Sequence, residues 1–223
     1  MNQQNDDFFR EMQLVHFGKL MASLSHEFKN HLAIIKESNG LLEDLLFLED
    51  SNQRPNNDRL KKIIATVNER VAQAAEMCRF LSSFAHRVDQ PLSVFSIAEV
   101  VQEEMYLLRR LAHQKQTELK FLGSDDLPLI FNNPSLLQFV IFCIIWPALE
   151  QLQNTRVTVT ATGQGSGVEV MVYIAGLISK PDENLWRLSL PAALPALKAE
   201  FSRIVLPDDH EEIRVNIPSL EKP

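Results

Sequence analysis

The residues with the most chemistry to offer lie close together near the start of the chain. They are His26, Glu27 and Asn30, in the run LSHEFKNHLAIIKE. An imidazole titrates near neutral pH, so an accessible histidine can act as a nucleophile. A carboxylate beside it can hydrogen-bond one ring nitrogen and leave the other free to attack phosphorus. A carboxamide one helical turn further on, within i,i+4 reach, can orient a water toward a phosphoryl group. An exposed histidine alone is ordinary surface, so what matters is the element that carries it.

That element is legible in the spacing. Leu14, Phe17, Met21, Leu24, Phe28, His31, Ile35, Ser38, Leu42 and Leu45 recur in a 3-4-3-4 rhythm with two polar breaks, a heptad seam on one long helix. With Leu14 at heptad position a, His26 falls at f, which points most directly into solvent. The turn-forming run SNQRPNND then ends the helix, and Asp58 is placed to cap the next one. Leu60, Ile64, Val67, Val71, Ala74, Cys78, Leu81, Ala85 and Val88 repeat the rhythm. Two such helices make an antiparallel hairpin that cannot enclose its own seam. Pairing two copies into a four-helix bundle is the simplest closed solution.

Composition changes after this hairpin. Of the 11 prolines only Pro55 lies in the first 88 residues, and of the seven glycines only Gly18 and Gly40 do. The chain is therefore expected to divide into a helical domain over 1–88 and a mixed domain over 89–223, joined near Val88-Asp89-Gln90-Pro91. In the second part, FSIAEVVQEEMYLLRRLAHQKQ reads as an amphipathic helix opened by a Ser96/Glu99 capping box. TELKFLGSDDLPLIFNN gives a strand, a turn and a short strand. NPSLLQFVIFCIIWPALEQL is a strongly apolar helix interrupted by Pro147. RVTVTATGQGSGVEVMVYIAG is two alternating strands around a glycine-rich turn. WRLSLPAALPALKAEF is a proline-punctuated helix, and SRIVLPDDHEEIRVNIP closes with two strands. The order predicts an α+β protein, with a sandwich of helices on one face of a mixed sheet.

Several function classes are excluded on general grounds. The formal charge of −7 on 223 residues argues against a nucleic-acid partner, which demands a basic footprint. No run of 18 or more apolar residues occurs and the start is polar and acidic, so neither a membrane span nor a secretory signal is expected, and a cytoplasmic location follows. The two cysteines, Cys78 and Cys143, lie far apart on apolar stripes and read as small core residues, not a disulfide or zinc site. His31 reads as a packed bundle histidine. His16, His86, His113 and His210 are scattered without metal-ligand spacing. The GQGSG at 163–167 spaces its glycines like a phosphate loop, but lies between strands and reads as a hairpin turn.

The stretch FGKLMASLSHEFKNHLAIIKESNGLLEDL resembles the H-box of sensor histidine kinases, in which a helix of the dimerisation and phosphotransfer domain carries the phosphorylated histidine. His26 matches that histidine, Glu27 the adjacent acid, and Asn30 the position tied to phosphatase activity. His31 stands where the family often has proline. PLSVFSIAEVVQEEM and DDLPLIFNNPSLLQFVIFCIIWPALEQL look like the start of the kinase's GHKL-type ATP-binding domain. There the resemblance fails in three places. Cys143 and Pro147 fall where such kinases carry asparagines that help hold magnesium and phosphates, and neither supplies a hard oxygen ligand. The adenine-reading Asp-x-Gly-x-Gly is reduced to Ala175 or a neighbour and Gly176. No glycine follows Gly176 to build a lid.

The resemblance thus implies a degenerate kinase similar to bacterial histidine phosphotransferases: a homodimer that takes a phosphoryl group onto His26 from a receiver-domain aspartyl phosphate and passes it on. It would use no nucleotide and bind no cofactor of its own, magnesium being the receiver's. Docking of the response regulator would use Lys29, Ala33, Lys36 and Glu37. The alternatives are an atypical ATP-dependent kinase and a non-catalytic dimer that binds or dephosphorylates a response regulator.

Overall fold

The structure is a computed structural model that describes residues 3–49, 57–124, 126–179 and 185–221. The seam residues fold as two long helices, α1 (Gln3–Glu49) and α2 (Asn57–His86). Phe17, in the first part of α1, stacks on Phe84, near the end of α2, with ring centroids 6.2 Å apart, so the helices run antiparallel. The turn-forming run between them lies largely outside the described residues, and Asp58 sits in the first turn of α2.

The helices and strands cluster into two compact units, drawn differently from the composition step at 88 and 89. One is Met21–Ser82, and the other joins Met1–Leu20 to Ser83–Pro223. In the first unit Leu24, His31, Ser38 and Leu45, one heptad apart, are buried, as are Ile63 and Met77 of α2. His31 is therefore a packed bundle residue. Cys78 is not the core residue its stripe suggested. Ile64, Val71 and Cys78, again one heptad apart, lie on a side of α2 that stays open to solvent. A seam that is apolar beyond what two helices can cover leaves this remainder exposed.

The second unit is built on a five-stranded sheet. Its strands are β2 (Glu118–Gly123), β4 (Arg156–Gln164), β5 (Gly167–Ile174), β6 (Glu200–Leu206) and β7 (His210–Ile217), in the order β2-β4-β5-β7-β6. β2 and β4 are parallel and every other pair is antiparallel. Alternate residues (Val157, Val159, Ala161, Val168, Val170, Val172, Ile213, Val215) are buried on one face. Thr158, Thr160, Met171, Tyr173 and Arg214 occupy the half-exposed other face, the pattern of a sheet covered on one side. On that outer face the Glu212 carboxylate beside Arg214 holds its guanidinium pKa above the ordinary value. The GQGSG motif is the β4–β5 hairpin: Gln164 pairs with Gly167, and Gly165 takes a φ of +59° in the two-residue turn. A separate pair, β1 (Ser93–Phe95) with β3 (Ile130–Asn132), was not foreseen from the sequence.

Three helices cover the buried face: α3 (Ile97–Gln114), α4 (Pro134–Gln151) and α5 (Leu185–Leu197). Ser96 caps α3 by accepting the Glu99 N–H at 3.4 Å, and Asn133 caps α4 by accepting that of Leu136 at 2.9 Å, with Pro134 in the first turn. Pro147 does not interrupt α4, which runs on to Gln151. Its missing N–H costs one rung, and burial of Leu136 through Leu149 without a gap holds the remainder in place. By length and composition α4 could cross a membrane, but here it is the enclosed centre of the unit.

The first part of α1 completes that enclosure. Phe9 meets Phe139 edge-on at 5.3 Å, the His16 ring lies 4.1 Å from that of Phe142, and the Lys19 ammonium stands 4.5 Å over Trp146. Two consecutive acids of α3 fasten this layer. Glu104, fully buried, sits 3.2 Å from His16 Nε2. Glu103 accepts two hydrogen bonds from Arg87, at 2.6 and 2.8 Å, and a third from Gln138 at 3.1 Å.

Removing one member of a buried polar pair strands the other. Glu104→Ala should therefore lower stability by about 3 kcal/mol in urea unfolding. Adding His16→Leu to the Glu104→Ala chain should recover a large part of that loss, because the pair is then replaced by apolar packing.

Candidate functional site

His26 stands on the middle of α1 with its side chain exposed. At 3.6 residues per turn, Asn30, Ala33 and Glu37 fall within about 40° of it around the helix, and all three are exposed. Lys29 and Lys36, also exposed, flank this stripe on one side. Glu27 lies about 100° round the other way and is half-buried at the edge of the hairpin core. Exposed Ala22 and Ser25 just before His26 keep its surroundings low, so a reactant reaches the ring without displacing large side chains. The helix itself supplies the rigidity: Leu24 and His31, on either side of His26 in sequence, anchor the opposite face in the core. Among the described residues no group of three or more histidine, cysteine, aspartate or glutamate side chains could hold a metal ion.

The second region of interest is the face of α4 to which the resemblance assigned nucleotide binding. The aromatic cluster on α4 is Phe142 and Trp146, one residue before each of Cys143 and Pro147. Their rings stack at 5.0 Å, and Trp186 of α5 meets them at 4.8 and 6.1 Å. Cys143 is fully buried. On the other side His16 and Lys19 of α1 lie on the same two rings. The space beside this stretch of α4 is therefore occupied by His16 and Lys19 from α1 and Trp186 from α5. Sequence reasoning missed this cluster. Two tryptophans and a phenylalanine flanking an apolar run were its only signal.

The loop after β5, where an adenine-reading aspartate was sought, is tied down by hydrogen bonds. The Thr155 hydroxyl donates to the Ala175 carbonyl at 2.5 Å, the Ile178 N–H to the buried Glu211 carboxylate at 3.1 Å, and the Ser179 N–H to Gln151 Oε1 at 2.8 Å. Arg203 closes on the same Glu211 oxygen at 2.8 Å. Gly176 takes a φ of +151° with Leu152 packed against it, so any side chain there would be both strained and crowded. This glycine serves a close approach of protein to protein.

A long antiparallel helical hairpin with an outward histidine is followed by a five-stranded mixed sheet backed by three helices, and proteins similar to this chain in sequence and in fold are histidine kinases. No protein-family model matches the chain. It is 26% identical over 172 residues to the sensor histidine kinase ZraS of Escherichia coli K12, covering 77% of this chain and 35% of that protein. ZraS of Escherichia coli O157:H7 matches at the same identity. The chain thus spans about a third of the length of the curated relatives it matches. In structure it is similar to the histidine kinase AdeS of Acinetobacter baumannii, at a TM-score of 0.51 and 12% identity over 88% of this chain and 98% of that one. Full-length ShkA in complex with AMPPNP gives 0.51 and 15% over 87% and 45%. The catalytic domain of the histidine kinase ThkA gives 0.50 and 14% over 57% and 95%. The chain is thus similar in sequence to sensor histidine kinases and shares the fold of their helical region and GHKL-like sheet domain.

Because His26 and Asn30 are exposed, His26→Gln and Asn30→Ala should each leave the urea unfolding free energy within about 0.5 kcal/mol of the parent. An activity that either change removes is then lost through chemistry and not through folding.

Proposed function

We propose that this protein is a histidine phosphotransfer protein of a two-component phosphorelay. His26 accepts a phosphoryl group from the aspartyl phosphate of a response-regulator receiver domain and passes it to a second receiver. The free ring nitrogen attacks phosphorus, an N–P bond forms, and the P–O bond to the receiver's aspartate breaks, releasing its carboxylate. The positive charge that develops on the ring is stabilised by Glu27 at the adjacent position. Transfer onward runs the same step in reverse. No nucleotide is consumed, because an acyl phosphate is already activated. The receiver's own magnesium supplies electrophilic help at phosphorus.

The observation that carries this reading is the contrast between the two regions. The His26 stripe is open, flanked by small residues and rigidly backed. The α4 face is packed with Phe142, Trp146 and Trp186, which offer no oxygen ligand for magnesium or phosphate. Lys29, Ala33, Lys36 and Glu37 form the receiver-docking surface in this reading, and function is cytoplasmic. The exposed stripe of Ile64, Val71 and Cys78 supports homodimerisation through the hairpin, since it is apolar and uncovered in the single chain. The kinship with sensor kinases favours a second reading, an atypical ATP-dependent kinase that phosphorylates its own His26.

The two are separated by incubating the chain with radiolabelled Mg-ATP alone, and in parallel with a receiver domain charged by a small phosphodonor. Acid-labile phosphate should appear on the parent only from the charged receiver and be absent from His26→Gln. Label from ATP alone would establish the kinase. Receivers that bind and neither transfer nor lose phosphate would leave a scaffold. Receivers that lose it faster, in a manner abolished by Asn30→Ala, would make the protein a phosphatase. Val71→Asp should shift the parent from dimer to monomer in sedimentation equilibrium, because a charge on the apolar stripe cannot be buried unpaired.

A further inference from the structure

We propose that a cavity within the sheet-bearing unit, walled by the first part of α1, the end of α2 and the start of α4, binds a small amphipathic anion with an apolar body and one negatively charged head. The cavity measures about 450 Å³, within the range of roughly 300–1,000 Å³ found for small-molecule sites. Its walls include Leu14, Phe17, Val88 and Phe139. Three of these are left exposed around one opening, Leu14 at 72%, Val88 at 62% and Phe17 at 45%. Large apolar side chains left open around a single concavity are what a ligand would cover. None of the phosphoryl chemistry assigned to His26 uses them.

The polar groups decide the ligand's charge and polarity. Arg10 is the one permanently charged residue among the described lining residues, with Gln13 and Ser135 as neutral partners. The first turn of α4, where Ser135 sits, carries no acidic residue, so nothing on that wall repels an anion. A guanidinium over an apolar cleft favours a planar anionic head such as a carboxylate or sulfonate. The floor sets the size. His16 lines the cavity but is itself buried, held by Glu104 and lying against Phe142, so the cleft ends there. A cleft of this volume that ends at a buried floor suits a small molecule.

The test uses the full chain and anilinonaphthalene sulfonate, whose aromatic body and single sulfonate match the cavity. Its fluorescence should rise to saturation at one equivalent, and decanoate should displace it about tenfold more effectively than decanol, since only decanoate makes a charged hydrogen bond. Arg10→Gln should weaken dye binding about tenfold. Leu14→Asp, at a position already open to water, should weaken it at least as much. Unfolding midpoints of both variants, matched to the parent, exclude misfolding. Dye binding that is absent, unchanged in both variants or equally displaced by decanol overturns the proposal. So does conversion of a parent dimer to monomer by Leu14→Asp, which would make a second copy of the chain the occupant. The readout requires no phosphate, receiver or His26, so its failure leaves the phosphotransfer reading untouched.

Discussion

Burial of α4 on every side is the constraint from which the rest of the sheet-bearing unit follows. A helix with an apolar stripe needs one partner, whereas one buried from Leu136 through Leu149 without a gap needs cover on every side. The sheet supplies one through β5 and α3 another, α5 brings Trp186, and the first part of α1 brings Phe9, His16 and Lys19. Remove α5 or the first part of α1 and aromatic surface from Phe139, Phe142 or Trp146 is returned to water. The cost is of the order of 1.5–3 kcal/mol for each fully uncovered side chain. This explains why the opening residues of α1 belong to the same compact unit as the sheet and are not just the start of a bundle helix.

The same constraint bears on chemistry. A phosphate or magnesium site requires oxygen ligands and room for water beside the helix that carries them. The α4 face has been given over to ring–ring contacts, and its neighbouring loop is locked by Glu211, Gln151 and Thr155. Cys143 and Pro147, the positions to which resemblance assigned nucleotide binding, are both buried in this packing. The His26 stripe is under no such constraint. Its helix is held from the opposite side by Leu24 and His31, so exposed positions can be chosen for reactivity and access alone.

Much of this was legible in the sequence, for identifiable reasons. Heptad spacing placed His26 outward and His31 inward because helical period alone decides those two positions. Alternation and a glycine at positive φ gave the β4–β5 hairpin, where local chemistry is sufficient. The misses share a different cause, since each depends on a tertiary partner. Cys78 is exposed because a stripe shows only that a residue is apolar, not whether the chain owns enough helices to cover it. Pro147 sits within a continuous α4 because surrounding packing outweighs one lost rung. β1 and β3 are three residues each, too short for any period, and exist through pairing with one another. The aromatic cluster of Phe142 and Trp146 is completed by Trp186, which only the tertiary fold brings to them.

His16 and Glu104 show why a polar pair persists in so apolar a layer. Ring packing of Phe9, Phe142 and Trp146 is tolerant of sliding, because an aromatic surface offers many near-equal contacts. A buried carboxylate tolerates far less: displaced by one turn, about 5.4 Å, Glu104 would lose its partner and remain desolvated. The adjacent Glu103 imposes a second fixed point through Arg87 in the turn after α2 and Gln138 on α4. Within the sheet-bearing unit, two neighbouring acids on α3 thus fix the first part of α1 and the turn after α2 at one register each. Apolar burial supplies the stability of this layer, and the paired acids select which of its near-equal arrangements is adopted.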